Sequence, residues 1–262
     1  MISSERQSRR GSRWRRSAGS AGPLVHGLSF RQTPGPLLAV VGLCGGSGAS
    51  VLAYLIAVTA ARESSAPVMV ADTGGPTGGL ASYAAVSARM TLADIAERLA
   101  RGERVVGPLW AEGKAGLRVL ASVPQFTVDG NEPEVSRVLS DARHAHGLTV
   151  ADAGTLARRS DHAALAAATH IAWVLVANDD GVARARRVLA RIAPISRPQL
   201  LVARGDPAGR GAPLSALAEL ADERRAPLVL MPSFGEVSRT GDAAMADGAG
   251  LALQAIGGVL RR

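Results

Sequence analysis

Lysine is nearly absent from this chain of 262 residues, in which Lys114 is the single lysine beside 29 arginines. Cysteine is just as scarce, and the lone Cys44 excludes an internal disulfide and fits a reducing compartment. Aromatic residues make up only 3% of the chain, so a hydrophobic core has to be built from Ala, Val, Leu and Ile. Any site that depends on a lysine can therefore use only one position.

The positive charge is concentrated at the amino terminus. Residues 1–36 contain seven arginines and one acidic residue, whereas the remainder contains 23 basic and 21 acidic side chains. This segment is rich in Ser, Gly and Pro and lacks apolar periodicity, so we expect a disordered, Arg-rich tail that folding does not require. The tail could contact acidic lipid or nucleic acid, or could simply aid solubility. It lacks the apolar stretch of a signal peptide.

Residues 37–61 carry no charge and follow a basic segment, a pattern that a transmembrane helix also shows. Four glycines crowd the centre of this stretch, and each costs a helix about 1 kcal/mol relative to Ala. The stretch instead predicts a strand over Leu37–Val41, a glycine-rich turn, and a helix over Ser50–Arg62.

Apolar strands and amphipathic helices alternate through the rest of the chain. We predict strands at 67–72, 117–122, 148–152, 171–178, 198–204 and 227–232, and helices at 91–102, 133–147, 181–193, 213–225 and 242–261. This alternation indicates one α/β domain over residues 37–262, doubly wound, with a mainly parallel sheet and helices on both faces.

A strand, a glycine-rich turn and a helix form a phosphate cradle, in which backbone N–H groups and the helix N-terminus face an anion. The turn has the text GLCGGSGAS at residues 42–50. Against the Walker A motif G-x-x-x-x-G-K-[ST], its second glycine is Gly48 and its final hydroxyl is Ser50, but Ala49 occupies the lysine position. A turn without a ligand would also use glycines. We predict that the nucleotide contacts are Gly45, Gly46, Ser47, Gly48, Ala49 and Ser50.

The same text resembles the deviant Walker A loop of the MinD/ParA family, KGGxGK[ST]. Both lysines of that pattern are lost here, one to Cys44 and one to Ala49. Further segments resemble the CpaE/TadZ pilus-assembly branch of the family, in order and at the right spacing across residues 37–262. They read VMVADTGGPTGGLASY, TLADIAE, GLRVLASVP, LTVADAG, IAWVLVANDDGVARARRVLARI, LLVAR and LMPSFGEVSRTGD.

The resemblance implies a P-loop NTPase fold and a site for ATP or ADP with Mg²⁺. Ser50, Asp72 and Asp152 would then be the metal ligands, with both carboxylates at switch positions. The central strand Leu37–Val41 would be flanked by the strands that end at Asp72 and Asp152.

The resemblance also shows losses beyond the lysines. Gly74 replaces an aspartate near the attacking water, Ala203 replaces a base-contacting Asn, and Ser233 and Phe234 replace a polar–acidic pair. Phosphoryl transfer needs cations at the phosphates and a positioned water. The chain therefore predicts a pseudo-ATPase without catalytic residues, in which nucleotide binding is weak or lost.

By resemblance, such a protein would be a cytoplasmic factor that positions or regulates a pilus, secretion or division machine through protein partners. A peripheral location at the inner face of the membrane and a homodimer are both left open. One alternative is a slow ATPase that uses Arg in place of Lys. Another is a ParA-like partition protein that binds DNA through its arginines. Cys44 could be a reactive thiol at a helix N-terminus or a small apolar filler. The last helix could target a membrane or complete the core.

Overall fold

The computed structural model describes residues 25–26, 33–73, 79–87, 90–106, 109–122, 132–205, 213–233 and 249–261. The strands in these ranges are β1 Val25–His26, β2 Leu37–Gly42, β3 Val68–Asp72, β4 Val105–Val106, β5 Ala111–Glu112, β6 Arg118–Leu120, β7 Leu148–Asp152, β8 His170–Val176, β9 Gln199–Arg204 and β10 Leu228–Met231. The helices are α1 Ala49–Glu63, α2 Gly79–Ala84, α3 Leu92–Ala100, α4 Glu132–Ala145, α5 Arg159–Ala167, α6 Asp179–Leu189, α7 Leu214–Arg224 and α8 Ala249–Leu260.

Eight strands form one sheet in the order β10-β9-β8-β2-β7-β3-β6-β5. All neighbours are parallel except the edge pair of β5 and β6. Successive side chains of a strand point to opposite faces, and β2 shows this directly. Leu37, Ala39 and Val41 join the core beneath α3 to α7, whereas Leu38 and Val40 join the core beneath α1, α2 and α8. The doubly wound α/β architecture is confirmed.

The uncharged stretch at residues 37–61 divides into β2, a turn and α1, as its glycines predict. Nine of the fifteen residues of α1 are buried, which explains its apolar composition without a membrane. None of the helices in the described ranges is long and apolar enough to cross a bilayer.

One expectation about the sheet is wrong. β2 lies between β7 and β8, so the strand that ends at Asp152 flanks it, but the strand that ends at Asp72 does not. The connection through α1 skips one place in the sheet, and β7 fills that place. Asp72 and Asp152 are nevertheless paired in register on neighbouring strands.

Regular contacts begin before Leu37. β1 pairs with β4, and the Gly35 N–H donates to the Arg143 carbonyl oxygen at 2.8 Å. The Arg143 Nε donates in turn to the Gly35 carbonyl oxygen at 2.9 Å. These contacts place the residues just before Leu37 within the domain. The rest of the predicted tail lies outside the described ranges and stays a prediction.

Candidate phosphate-binding site

The turn between β2 and α1 is held open by glycine conformations. Gly46 and Gly48 have φ angles of 73° and 91°, in the left-handed region that other residues rarely adopt. At the strand end, a Cβ on Gly42 would lie 2.6 Å from Ser47 Oγ and 3.2 Å from the carbonyl oxygen of Gly154. The Gly42 N–H donates to that same oxygen at 2.7 Å, which fastens the turn to the segment after β7.

Beneath the turn, the side chains of Ser50 and Asp152 form a hydrogen bond. The Ser50 hydroxyl donates to the Asp152 carboxylate, and the Gly154 N–H donates to Asp152 Oδ1 at 3.2 Å. Burial raises the pKa of Asp152, while these two hydrogen bonds act to lower it. The Thr73 hydroxyl, next to Asp72, donates to the Asp152 carbonyl oxygen at 2.8 Å. The structure thus brings Ser50 and Asp152 into contact and sets Asp72 at the end of the neighbouring strand.

This donor set fits Mg²⁺, which prefers oxygen ligands and usually takes one or two carboxylates, with waters and substrate phosphates completing its shell. Within the described ranges, no three His, Cys, Asp or Glu side chains form a metal-holding cluster. A metal at this position would therefore depend on the ligand's phosphates as well as on Ser50, Asp72 and Asp152.

An open cleft of about 340 Å³ lies over the turn. The residues that line it are Gly42, Cys44, Gly46, Ser47, Gly48, Ala49, Ser50, Val51, Tyr83, Gly154, Thr155 and Arg204. Gly45, predicted as a contact, does not line the cleft, although no other residue would obstruct a side chain there. Tyr83, Thr155 and Arg204 were not predicted as site residues.

Solved structures with this architecture cover nearly the whole chain. A ParA-family ATPase from Chlorobium tepidum TLS matches with a TM-score of 0.67, 17% identity, and 87% of this chain against 97% of that one. MinD from Pyrococcus horikoshii OT3 with Mg-ADP matches with a TM-score of 0.68 and 14% identity, and the match covers 86% of this chain and 94% of that one. The MinC:MinD complex from Aquifex aeolicus matches with a TM-score of 0.66 and 17% identity, and the match covers 87% of this chain and 95% of that one.

The chain has the MinD/ParA-type P-loop NTPase fold. No protein-family model and no curated protein matches it in sequence. At these identities the likeness establishes the fold alone, so the chemistry of the turn has to be judged from its own residues.

Cys44 and Ala49, which the resemblance aligns with the two lysines of a MinD/ParA-type turn, are both uncharged. Cys44 is half-buried and Ala49, the first residue of α1, is 7% exposed. Lys114 cannot replace them, because its short 3-10 turn packs against the far end of α1, near Ala61 and Ser64. At 1.5 Å per residue, that end lies about 20 Å from the glycine turn.

Arg204, the last residue of β9, reaches the turn from another strand. Its Nε donates to the carbonyl oxygen of Ser47 at 2.8 Å, and its Nη2 donates to that of Gly46 at 2.7 Å. Its Nη1 donates to Ser233 Oγ at 3.3 Å. Among the cleft-lining residues it is the one with a formal charge. The sequence comparison included Arg204 in the segment LLVAR without giving it a role, and it remarked only on the neighbouring Ala203, which is buried in the strand.

Two predicted substitutions cannot be placed. Gly74 and Phe234 lie outside the described ranges.

Beside Asp72 there is a second cavity of about 40 Å³, lined partly by Thr73, Ser122 and Arg158. It has room for one or two waters but not for a nucleotide. The cleft over the turn, which Ser50 and the N-terminus of α1 line, is the candidate nucleotide site.

Proposed function

We propose that this protein is a non-hydrolysing factor of the MinD/ParA type, which binds Mg²⁺-nucleotide weakly and positions or regulates a larger machine through protein contacts. The observation that carries the proposal is that the turn keeps its polar groups but lacks its cations. Ser50 and Asp152 form a hydrogen bond beneath the turn, yet the uncharged Cys44 and Ala49 occupy both lysine positions.

Weak binding is supported by what the site keeps. The N-terminus of α1, a helix of 15 residues, faces the cleft and favours an anion. Mg²⁺, when bound, would neutralise phosphate charge. Ser50, Asp72 and Asp152 would orient it from below. We propose that these groups together provide weak affinity without any lysine.

The lack of turnover is supported by what the site has lost. A preorganised donor removed from a transition state costs about 3–4 kcal/mol, and this turn lacks two cations. With two such losses, hydrolysis would fall by several orders of magnitude. An ATPase assay of the purified full chain with Mg²⁺ tests this, and we expect no turnover above that of the Ser50→Ala variant. Turnover at rates ordinary for such ATPases would contradict the proposal.

Arg204 favours a second candidate, a slow ATPase in which arginine serves as the phosphate cation. Its guanidinium lines the cleft and forms no ion pair with a carboxylate of the described ranges. The same assay separates the two functions. Slow turnover that disappears in Arg204→Met would support the enzyme, and no turnover in either protein would support the pseudo-ATPase.

A ParA-like DNA-binding role is less well supported by the body of the domain. On α6, Arg186 lies 3.0 Å from Glu219 and 3.6 Å from Glu223, which neutralise part of the arginine-rich face. Salt-dependent DNA binding by the full chain that survives removal of residues 1–24 would favour this role. Binding that vanishes on truncation would assign it to the tail.

The partner proposal is a protein of a pilus, secretion or division assembly in the cytoplasm, at the inner face of the membrane. One of the similar structures is a complex of MinD with MinC, and by analogy a protein partner is the first expectation here. A pull-down from the native host would identify it. Sedimentation of the chain with and without Mg²⁺-ATP would show whether it forms a homodimer.

A further inference from the structure

Arg204 holds the glycine turn by its carbonyl side. Its guanidinium binds two consecutive carbonyl oxygens, those of Gly46 and Ser47, across 157 residues of sequence. The hydrogen bonds are charge-assisted, and such bonds are roughly twice as strong as neutral ones. These two hydrogen bonds restrain a segment whose glycines would otherwise leave it conformationally free.

The two hydrogen bonds from Arg204 also determine the direction of the N–H groups of Ser47 and Gly48. In a trans peptide, the C=O of one residue and the N–H of the next point in opposite directions, and no described peptide bond is cis. Arg204 therefore turns the N–H groups of Ser47 and Gly48 away from itself. The Ser47 N–H does point across the turn, to the Cys44 carbonyl oxygen, but at a long 3.3 Å. An anion bound by this N–H would have to displace the long hydrogen bond to Cys44.

We propose that Arg204 is the positioning residue of the phosphate turn. By binding the carbonyl oxygens of Gly46 and Ser47 it fixes the turn with its N–H groups inward. The ligand it prepares the turn for is the phosphate group of a Mg²⁺-nucleotide. That ligand rests on the proposed function, whereas the positioning role does not.

The test compares full-length wild type with three variants. Arg204→Met removes the charge and keeps most of the volume, and Arg204→Lys keeps the charge but not the two-pronged geometry. Arg197→Met is the matched control, since Arg197 also donates to several backbone carbonyl oxygens, those of Leu165, Ala166 and Ala168, away from the turn. Hydrogen exchange of the amides at residues 43–50 and calorimetric titration with Mg²⁺-ADP are the two readouts.

We expect exchange at 43–50 to accelerate on the order of tenfold in Arg204→Met, partly in Arg204→Lys, and not in Arg197→Met. Mg²⁺-ADP affinity should fall in the same order. Unchanged exchange in Arg204→Met would overturn the proposal, as would an affinity equal to or above that of wild type. Faster exchange in a chain whose wild type binds no Mg²⁺-ADP would uphold the positioning role and reject the nucleotide function instead.

Discussion

His146, at the residue scale, is a buried histidine whose tautomer the structure determines. Its Nε2 lies 3.2 Å from Arg118 Nη1, and its Nδ1 lies 2.7 Å from the Ala142 carbonyl oxygen. Arginine can only donate, so Nε2 accepts, Nδ1 carries the proton and the ring is neutral. Burial lowers the pKa of His146 to about 4, and the charge of Arg118 adds to this, while the Ala142 carbonyl acts in the opposite direction. The ring edge also packs on Trp110.

This histidine predicts acid sensitivity. Between pH 6.5 and about 4 the unfolded chain binds a proton at His146 that the folded chain does not, so stability falls as the pH falls. Wild type should lose about 3 kcal/mol relative to His146→Gln between pH 8 and pH 4. Asp141, which lines a small cavity together with His146, has a pKa raised by burial and acts in the opposite sense. The difference between the two proteins cancels it.

Urea unfolding of wild type and His146→Gln across this range is the measurement. At pH 8 the variant should be the less stable by about 1–2 kcal/mol, because a buried hydrogen-bonded ring is lost. The order should reverse between about pH 6 and 5, and at pH 4 wild type should be the less stable by about 1–2 kcal/mol. A difference that does not change with pH would mean that His146 does not titrate in this way.

At the scale of elements, two glycines of the phosphate turn make a matched pair. A Cβ at Gly42 would press on Ser47 Oγ and on two carbonyl oxygens, whereas a Cβ at Gly45 would meet nothing within 4 Å. Gly42→Ala should therefore lower Mg²⁺-ADP affinity on the order of tenfold and the free energy of unfolding by about 1–3 kcal/mol. Gly45→Ala should leave stability within about 0.5 kcal/mol of wild type. Calorimetry and urea unfolding check both, and equal effects would show that the turn is not packed as described.

Elements with strong local signals were predictable. β7 matches its predicted bounds, and α3 begins after the predicted N-cap Thr91, whose side chain and that of Asp94 form a capping box. The short helices α2 and α5 and the edge strand β5 were missed, because a few residues carry too little periodicity. The place of β3 in the sheet was also wrong, since a crossover connection does not state how many strands it passes.

The residues of the site also differ in how far the sequence could predict them. The turn and Ser50 could be found from sequence because a motif of adjacent residues encodes them. Arg204 could not, since 157 residues separate it from Ser47 and only the strand order brings the two together. The family pattern directed attention to Ala203, one residue away.

At the scale of the whole molecule, the amino-terminal boundary can be tested by two truncations. Removing residues 1–24, whose composition offers no apolar face, should leave the melting temperature nearly unchanged. Removing residues 1–36 should lower it, because Gly35 loses its hydrogen bonds with Arg143, and Pro36 loses the one it accepts from the Thr149 N–H at 3.0 Å. A drop of many degrees on the shorter truncation would show that the tail packs on the domain.

The central claim is that the turn keeps the geometry of a phosphate cradle and has lost its charges. Cys44 and Ala49 both line the cleft, so lysines placed there would begin within it. The repaired protein is the double variant Cys44→Lys, Ala49→Lys. A charge-matched control is Ser65→Lys, Ser140→Lys, which adds the same charge at exposed positions outside the cleft lining.

Calorimetric titration of Mg²⁺-ATP into these three proteins tests the claim most directly. Each charge-assisted contact contributes about 1.5–3 kcal/mol, so the repaired protein should bind at least on the order of tenfold more tightly than wild type, and the control should not. Hydrolysis should stay poor, since by the resemblance Gly74 replaces the aspartate that would orient the water. An affinity of the repaired protein equal to that of the control would contradict the account, because the turn would then no longer be a cradle for phosphate.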